Sequence, residues 1–232
     1  MMMKLVSCLA ACVVLSLVNP VAADEVVVPA GHGVLEDIHI TQLAIGDEAP
    51  DFELFGVDYR YHSLGMYDEA RALVVLFICN HCRVSVDYED TLIALANKYQ
   101  EQGAQFVAIN PNPAYKVAAD GFPQMVARAT EKGFPFPYLY DETQNTARAY
   151  GPERTPHVFV FGPDRKLVYK GSVDNHHEAP FYLSDALQAV LAGEEVEIAV
   201  AREGMGDYQV FGCTVKYLTP AERAEMGLPV SN

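Results

Sequence analysis

The feature that most constrains the fold is a continuous apolar run, ALVVLFI at residues 72–78, which ends directly at a pair of cysteines. An uninterrupted run of this kind is typical of a strand buried on both faces of a sheet. Residues 80–102 contain neither glycine nor proline and carry apolar residues at helical spacing, and Gly103 can end a helix there. The sequence therefore predicts a central strand that leads into a helix, with Cys79 and Cys82 at the junction.

Strands and helices are predicted to alternate along the rest of the chain. The pattern predicts strands at 51–58, 106–111 and 138–141, helices at 124–133, 142–151 and 181–193, and a hairpin at 157–173. This order indicates an α/β fold in which helices flank a central sheet. In such sheets the reactive groups commonly lie where the carboxyl end of a strand meets the start of a helix, which is where the cysteine pair falls.

The charge balance limits the range of partners. The 232 residues include 31 acidic and 16 basic side chains, a formal net charge of −15. A chain this acidic repels the phosphates of nucleic acids and anionic lipid surfaces, so we expect no nucleic-acid partner. Half of the residues are apolar, which is enough for one well-packed domain.

The N-terminus has the pattern of a secretory signal. Lys4 precedes an apolar stretch at residues 5–18, and small residues lead to Ala23, after which we expect cleavage. Export, with the periplasm as the expected compartment, would leave no stable membrane insertion. An uncleaved anchor, or lipid attachment at Cys12 after Leu9-Ala10-Ala11, is the weaker alternative.

These boundaries divide the chain into a signal peptide at 1–23, a lead-in at 24–45, a main domain at 46–193 and a C-terminal extension at 194–232. Removal of the signal would leave three cysteines, Cys79, Cys82 and Cys213, in a compartment where disulfides persist.

The cysteine pair is compatible with several kinds of chemistry. Haem attachment requires histidine directly after the second cysteine, where this chain has Arg83. A zinc site needs two further ligands, and no second closely spaced cysteine pair is present. A structural disulfide remains open, but the position at a strand-to-helix junction favours redox catalysis.

Several stretches resemble a known superfamily: GDEAPDFEL, FICNHC, YED, AINPN, FPFPYLYDETQ, ARAYG, TPHVFVFG and GCTVK. Together they are similar to the thioredoxin-like superfamily and, more narrowly, to secreted redoxins related to the AhpC/TSA antioxidant proteins, over about Gly46 to Cys213. The resemblance implies a thioredoxin-like fold with a central mixed β-sheet, an inserted helix and a C-terminal tail. It also implies a redox-active disulfide between Cys79 and Cys82, a cis peptide bond before Pro156, and no metal or other cofactor.

The resemblance and the chemistry of thiolates together suggest a role for each residue. We expect Cys79 to be the nucleophile and Cys82 the resolving thiol, with the helix N-terminus and His81 lowering the pKa of Cys79. Thr155 and Pro156 would bind an extended substrate peptide. The expected partners are protein thiols and disulfides, together with a protein that donates or accepts electrons.

Departures from the superfamily pattern keep two alternatives open. Thioredoxins carry a buried acid six residues before the first cysteine, where this chain has Leu73, so the proton acceptor for Cys82 is not evident. Leu76 and Ala72 replace residues that the related peroxidases use, which disfavours a peroxiredoxin-like activity. A copper-binding metallochaperone using the pair and His176-His177 is the other alternative.

Cys213, the third cysteine, is expected to be a small buried residue that basic exchange does not require.

Overall fold

The computed structural model describes residues 40–179, 181–201 and 211–229. The expected signal peptide and most of the lead-in lie outside these residues. Within them, no helix is both long enough and apolar enough to cross a bilayer.

The main sheet contains eight strands in mixed orientation. They are β1 (Glu53–Gly56), β2 (Tyr61–Ser63), β3 (Ala72–Phe77), β4 (Ala104–Asn110), β5 (Tyr138–Tyr140), β7 (His157–Phe161), β8 (Leu167–Gly171) and β9 (Val200–Ala201). Their spatial order is β2-β1-β5-β4-β3-β7-β8-β9. Strands β3, β4 and β5 run parallel, whereas β7 pairs antiparallel with β3. The predicted α/β fold with a central mixed sheet is confirmed.

The described part of the chain contains six α-helices: α1 (Arg83–Asp87), α2 (Glu89–Gln100), α3 (Phe122–Lys132), α4 (Asn145–Tyr150), α5 (Tyr182–Ala192) and α6 (Pro220–Glu225). Helix α3 is the expected additional helix and lies between β4 and β5. The predicted strands and helices are present, although α4 begins three residues later than the sequence pattern indicated, at Asn145.

The apolar run at 72–78 forms the middle of the core, as predicted. All residues of β3 are fully buried, and they alternate between the two faces of the sheet. Val74 and Leu76 belong to the core on one face, whereas Leu73, Val75 and Phe77 belong to the core on the other. Because both faces are covered, β3 holds the cysteine turn that follows it in a fixed position.

The C-terminal extension forms part of the structure as far as it is described. Strand β10 (Cys213–Thr214) pairs antiparallel with the short strand β6 (Arg154–Thr155) and makes a second, two-stranded sheet. Helix α6 follows and begins with a capping box, in which Thr219 and Glu222 satisfy each other's backbone N–H groups. The extension therefore packs against the domain beside the loop that precedes β7.

Candidate active site

The cysteine turn is attached to β4 on one side and to α1 on the other. The backbone N–H of Ile78 donates to the carbonyl of Ile109 at 3.0 Å. The N–H of Cys79 donates to Ser85 Oγ at 3.2 Å, which links the first cysteine to the first helix. Both cysteines are buried, with 2% exposure for Cys79 and 0% for Cys82, and neither forms a disulfide in this structure.

The helix after β3 begins later than the sequence predicted. Helix α1 starts at Arg83, and Cys82 is its N-cap residue, so Cys79 lies in the turn before the helix. The free N–H groups of a helix N-terminus therefore lie closer to Cys82 than to Cys79. The predicted helix is also interrupted at Tyr88, where α1 ends and α2 begins. The Arg83 side chain is 92% exposed, so water screens its charge from the cysteines.

Thr155 contacts both cysteines, and the resemblance had implied a cis peptide bond between Thr155 and Pro156. The peptide bond between them is cis, which confirms that expectation. Thr155 Oγ1 lies 3.0 Å from Cys79 Sγ, and the Cys82 thiol donates to the Thr155 carbonyl at 3.1 Å. One buried residue thus contacts both sulfurs, although it is 73 and 76 positions away in sequence.

A buried acid that the sequence reasoning missed lies beside the pair. Asp120 is completely buried, and its Oδ1 accepts the backbone N–H groups of Asn80 and His81 at 2.8 and 2.9 Å. Its Oδ2 lies 2.5 Å from His81 Nδ1 and accepts from Asn112 Nδ2 at 3.0 Å. Asp120 therefore fixes both central residues of the CNHC turn. It provides a buried carboxylate in a site where Leu73 had suggested there was none.

His81 lies between this acid and the first cysteine. Its Nδ1 is 3.4 Å from Cys79 Sγ as well as 2.5 Å from Asp120 Oδ2. Because one ring nitrogen faces both groups, His81 is not a relay that takes a proton on one nitrogen and passes it from the other. Its contribution to the site is its charge when protonated and its fixed position next to the sulfur.

The two thiols have opposite electrostatic environments. The hydrogen bond to Cys82, burial and the charge of Asp120 raise the pKa of Cys79, although Thr155 acts in the opposite direction. The hydrogen bond from Cys79 lowers the pKa of Cys82 well below its usual range, and contacts with Cys213 add to this effect. The sequence had predicted a lowered pKa for Cys79. In this conformation the favoured site for the negative charge is Cys82, because the helix N-terminus and most of the donors lie there.

The third cysteine is also part of this cluster. Its backbone N–H donates to Cys82 Sγ at 3.3 Å, and in the pairing of β10 with β6 Cys213 lies opposite Thr155. The backbone edge that was expected to bind a substrate peptide is therefore occupied by the chain's own strand β10. No local sequence signal could have revealed this contact, because Cys82 and Cys213 are 131 residues apart.

Potential metal ligands come together beside the cysteine pair. Among the described residues, one group offers three ligand atoms within 4.8 Å of one another: Cys79, His81 and Asp120. The two histidines considered for copper are not members of it. The ring of His177 stacks on Tyr88 with 4.3 Å between centroids.

A dithiol at the end of a central strand, facing a threonine and a cis-proline, defines a thioredoxin-like redox protein. The model of the AhpC/TSA family matches residues 45–170. The chain belongs to this family.

Individual relatives agree with this classification. The thiol-disulfide oxidoreductase ResA of Geobacillus thermodenitrificans is 28% identical over 130 residues, which cover 55% of this chain and 68% of that protein. Two solved structures, each with a TM-score of 0.68, cover 77% of this chain. They are an uncharacterized conserved protein from Geobacillus kaustophilus (36% identical, 94% of its chain) and a hypothetical protein from Sinorhizobium meliloti (31%, 97% of its chain).

Proposed function

We propose that this thiol-disulfide oxidoreductase exchanges disulfides with protein substrates through Cys79 and Cys82, outside the cytoplasm. The observation that carries the proposal is the contact of both free sulfurs with Thr155, directly before a cis-proline. The signal-like sequence at 1–23 supports export, and the ResA relative supports the reaction class.

The reaction consists of two exchanges. The Cys79 thiolate attacks one sulfur of a substrate disulfide, the substrate S–S bond breaks, and the released thiolate takes a proton. Cys82 then attacks the Cys79 sulfur of the mixed disulfide and releases the second substrate thiol. Two electrons have passed to the substrate, and the Cys79–Cys82 disulfide that remains is reduced by a partner dithiol. The reverse sequence oxidises a substrate.

The access to the two sulfurs supports this division of roles, although the raised pKa of Cys79 opposes its role as the attacking thiolate. Cys79 Sγ lies beside His81, whose side chain is partly exposed, so an incoming disulfide can approach from that side. Cys82 Sγ lies between the Thr155 carbonyl and the Cys213 N–H, where β10 covers it. The backbone N–H groups of Ser85 and Cys213 also lower the pKa of Cys82, and they stay beside its sulfur when Cys79 is bound in the mixed disulfide.

Trapping of the mixed disulfide tests the roles. In the Cys82→Ser protein, a model protein disulfide should accumulate as a mixed disulfide on Cys79, because the resolving thiol is missing. The Cys79→Ser protein should lose turnover of the same substrate. Peptide mapping of the trapped species identifies the sulfur involved. Turnover by Cys79→Ser at the native rate would overturn the proposal.

A copper carrier is the second candidate, because two cysteines and His81 lie together and thiolates and imidazole suit copper. The third ligand in the geometric group is the Asp120 carboxylate, a hard donor already occupied by N–H groups of Asn80, His81 and Asn112, and this favours redox exchange. Titration of the reduced protein with Cu(I) separates the two functions. Tight stoichiometric binding without disulfide turnover would favour the carrier.

A further inference from the structure

Strand β10 occupies the position that a bound substrate strand is expected to take. It runs antiparallel to β6, Cys213 lies opposite Thr155, and the Val215 N–H donates to the Glu153 carbonyl at 3.0 Å, which continues the pairing. An extended peptide that adds to an exposed strand edge makes the same kind of backbone contact. Here the added strand belongs to the chain itself, and it carries a cysteine at the residue opposite Thr155.

The approach of β10 to this edge depends on a glycine. Gly212 has φ +145°, which side-chain-bearing residues rarely adopt, and a Cβ there would lie 2.1 Å from the Thr155 carbonyl oxygen. The Arg154 guanidinium donates to the Gly212 carbonyl at 2.9 Å. The sequence Gly212-Cys213 therefore allows the backbone to come close enough to present the third thiol to the pair.

The segment after β10 fixes this arrangement. The buried side chain of Gln144 donates to the Lys216 carbonyl at 3.0 Å and accepts the Leu218 N–H at 2.7 Å. The buried Asn112 accepts the Lys216 N–H at 2.8 Å. Val215 and Leu218 are themselves buried. Since buried polar groups of the domain are satisfied by this segment, its position is specific and not an incidental surface contact.

The result is a row of three sulfurs. The Cys213 N–H donates to Cys82 Sγ, and the neighbouring Cys213 thiol helps to lower the pKa of Cys82, whereas burial and then Cys82 raise the pKa of Cys213. Cys82 also contacts Cys79, and both of these residues are buried, whereas Cys213 is half-buried.

We propose that Cys213 is a third redox-active cysteine, which exchanges with the Cys79–Cys82 disulfide and moves it to Cys82–Cys213. The inference rests on the proposed function, because that function generates the Cys79–Cys82 disulfide. In this step the Cys213 thiolate attacks the Cys82 sulfur. The Cys79–Cys82 bond breaks, a Cys82–Cys213 bond forms, and Cys79 leaves as a thiolate that takes the proton Cys213 has lost. No electrons enter or leave the chain.

This exchange links the buried site to the surface. Cys79 becomes free to react again while the oxidised sulfur is held at the more exposed Cys213. A partner dithiol can then reduce the Cys82–Cys213 disulfide by attacking Cys213, without reaching Cys79. The expected partner is a protein dithiol that approaches the β10 side of the molecule.

Oxidation of cysteine variants with glutathione disulfide tests the inference. In the Cys79→Ser protein, glutathione disulfide should first modify Cys82 or Cys213, and the neighbouring thiol should then displace glutathione. After alkylation of free thiols, peptide mapping should find a Cys82–Cys213 disulfide as the main product involving these two residues. In Cys79→Ser/Cys213→Ser the same treatment should stop at a stable glutathione adduct on Cys82.

A matched control moves the thiol by one residue. The Cys79→Ser/Cys213→Ser/Thr214→Cys protein keeps a cysteine in β10, but at a position whose side chain is exposed and alternates to the other face of the strand. It should form little or no disulfide with Cys82. An equal yield from this variant would show that chain flexibility and not the position of Cys213 produces the bond, and would overturn the inference.

The native protein separates this inference from the proposed function. Under the same treatment it should contain both the Cys79–Cys82 and the Cys82–Cys213 disulfides. A Cys79–Cys82 disulfide in the native protein, with Cys213 fully alkylated in both the native and the Cys79→Ser proteins, would overturn the third-cysteine inference alone. Absence of any Cys79–Cys82 disulfide in the native protein would overturn the proposed function.

Discussion

At the scale of single residues, two ionisable side chains, His81 and Asp120, act on Cys79 in opposite directions. A protonated His81 stabilises the Cys79 thiolate, whereas the Asp120 carboxylate opposes it. Asp120 also holds the turn through two backbone N–H groups. The electrostatic and structural roles of these residues can therefore be measured separately, the first as a potential and the second as a stability.

Replacement of His81 by glutamine should lower the reduction potential of the pair. Protonated His81 favours the dithiol form, because the disulfide has no negative charge to stabilise. We expect a native potential of roughly −150 to −230 mV, against about −270 mV for thioredoxin, and a fall of about 30 mV for each pKa unit of thiolate stabilisation lost. Equilibration with glutathione buffers measures both proteins. An unchanged potential in the variant would show that His81 does not set it.

Replacement of Asp120 by asparagine should lower the free energy of unfolding by about 1–3 kcal/mol. The amide nitrogen of the new side chain is a donor, and it would replace the Asp120 oxygen that now accepts from Asn112 Nδ2 and contacts His81 Nδ1. Urea unfolding of the reduced proteins measures the loss. Asp90→Asn is the matched control, since Asp90 is 82% exposed and paired only with Lys132, and its effect should stay within about 1 kcal/mol. Equal losses in the two variants would contradict the role assigned to Asp120.

At the scale of elements, the strands and helices that depend on local sequence pattern were predicted correctly, whereas contacts between residues distant in the chain were missed. The continuous apolar run ALVVLFI and the glycine after α2 led to correct predictions, and the resemblance correctly implied the cis bond before Pro156. Asp120 was missed because 39 residues separate it from His81, and its own neighbours in sequence form a short turn without a motif.

The predicted start of helix α1 was wrong for a different reason. Helix propensity does not distinguish a helix that begins at Asn80 from one that begins at Arg83. The difference is made by Asp120, whose carboxylate accepts the N–H groups of Asn80 and His81 and fixes them in a turn. The register of this helix relative to the cysteines, and with it the pKa order of the two thiols, thus depends on a side chain from another element.

Replacement of Gly212 by alanine should detach β10 from β6. The new methyl group would meet the Thr155 carbonyl oxygen at a φ that alanine adopts only at a cost. We expect faster alkylation of Cys82 by iodoacetamide and loss of the Cys82–Cys213 disulfide. Gly193→Ala is the control, because Gly193 also has a positive φ, of +75°, but has open space around its Cβ position. The Gly193→Ala substitution should cost stability only through its backbone conformation. The cysteines of that variant should react with iodoacetamide at the native rate.

At the scale of the whole molecule, the extension joins regions that are distant in the chain. Its segment 215–218 contacts the loop after β4, the start of α4 and the residues before β6. The Arg223 guanidinium in α6 donates to the Thr143 carbonyl at 2.7 Å. Global unfolding should therefore release the extension and the domain together.

The pH dependence of the free energy of unfolding should reveal the ionisation of Asp141, a buried carboxyl directly after β5. Burial raises the pKa of Asp141 to about 6, and its Oδ1 has no hydrogen-bond partner. Because the folded protein binds this proton more tightly than the unfolded chain does, the group opposes folding most above pH 6, and the penalty disappears as the pH falls below about 4. The Asp141→Asn protein lacks this effect.

The measurement compares urea unfolding of the native and Asp141→Asn proteins between pH 4 and 7. The native protein should gain stability relative to the variant as the pH falls, by about 2 kcal/mol over the range. Titration of all other groups cancels in the difference. A constant difference would mean that Asp141 keeps an ordinary pKa.

Because β10 is covalently joined to the domain, it also competes for the Arg154–Thr155 edge at a local concentration on the order of millimolar. A dilute peptide that offers only backbone hydrogen bonds loses this competition. A peptide that forms a disulfide with Cys79 can still bind at this edge, because the covalent bond holds the peptide in place while β10 leaves. In the proposed reaction, the tethered strand would therefore select partners by their redox state before it selects them by sequence.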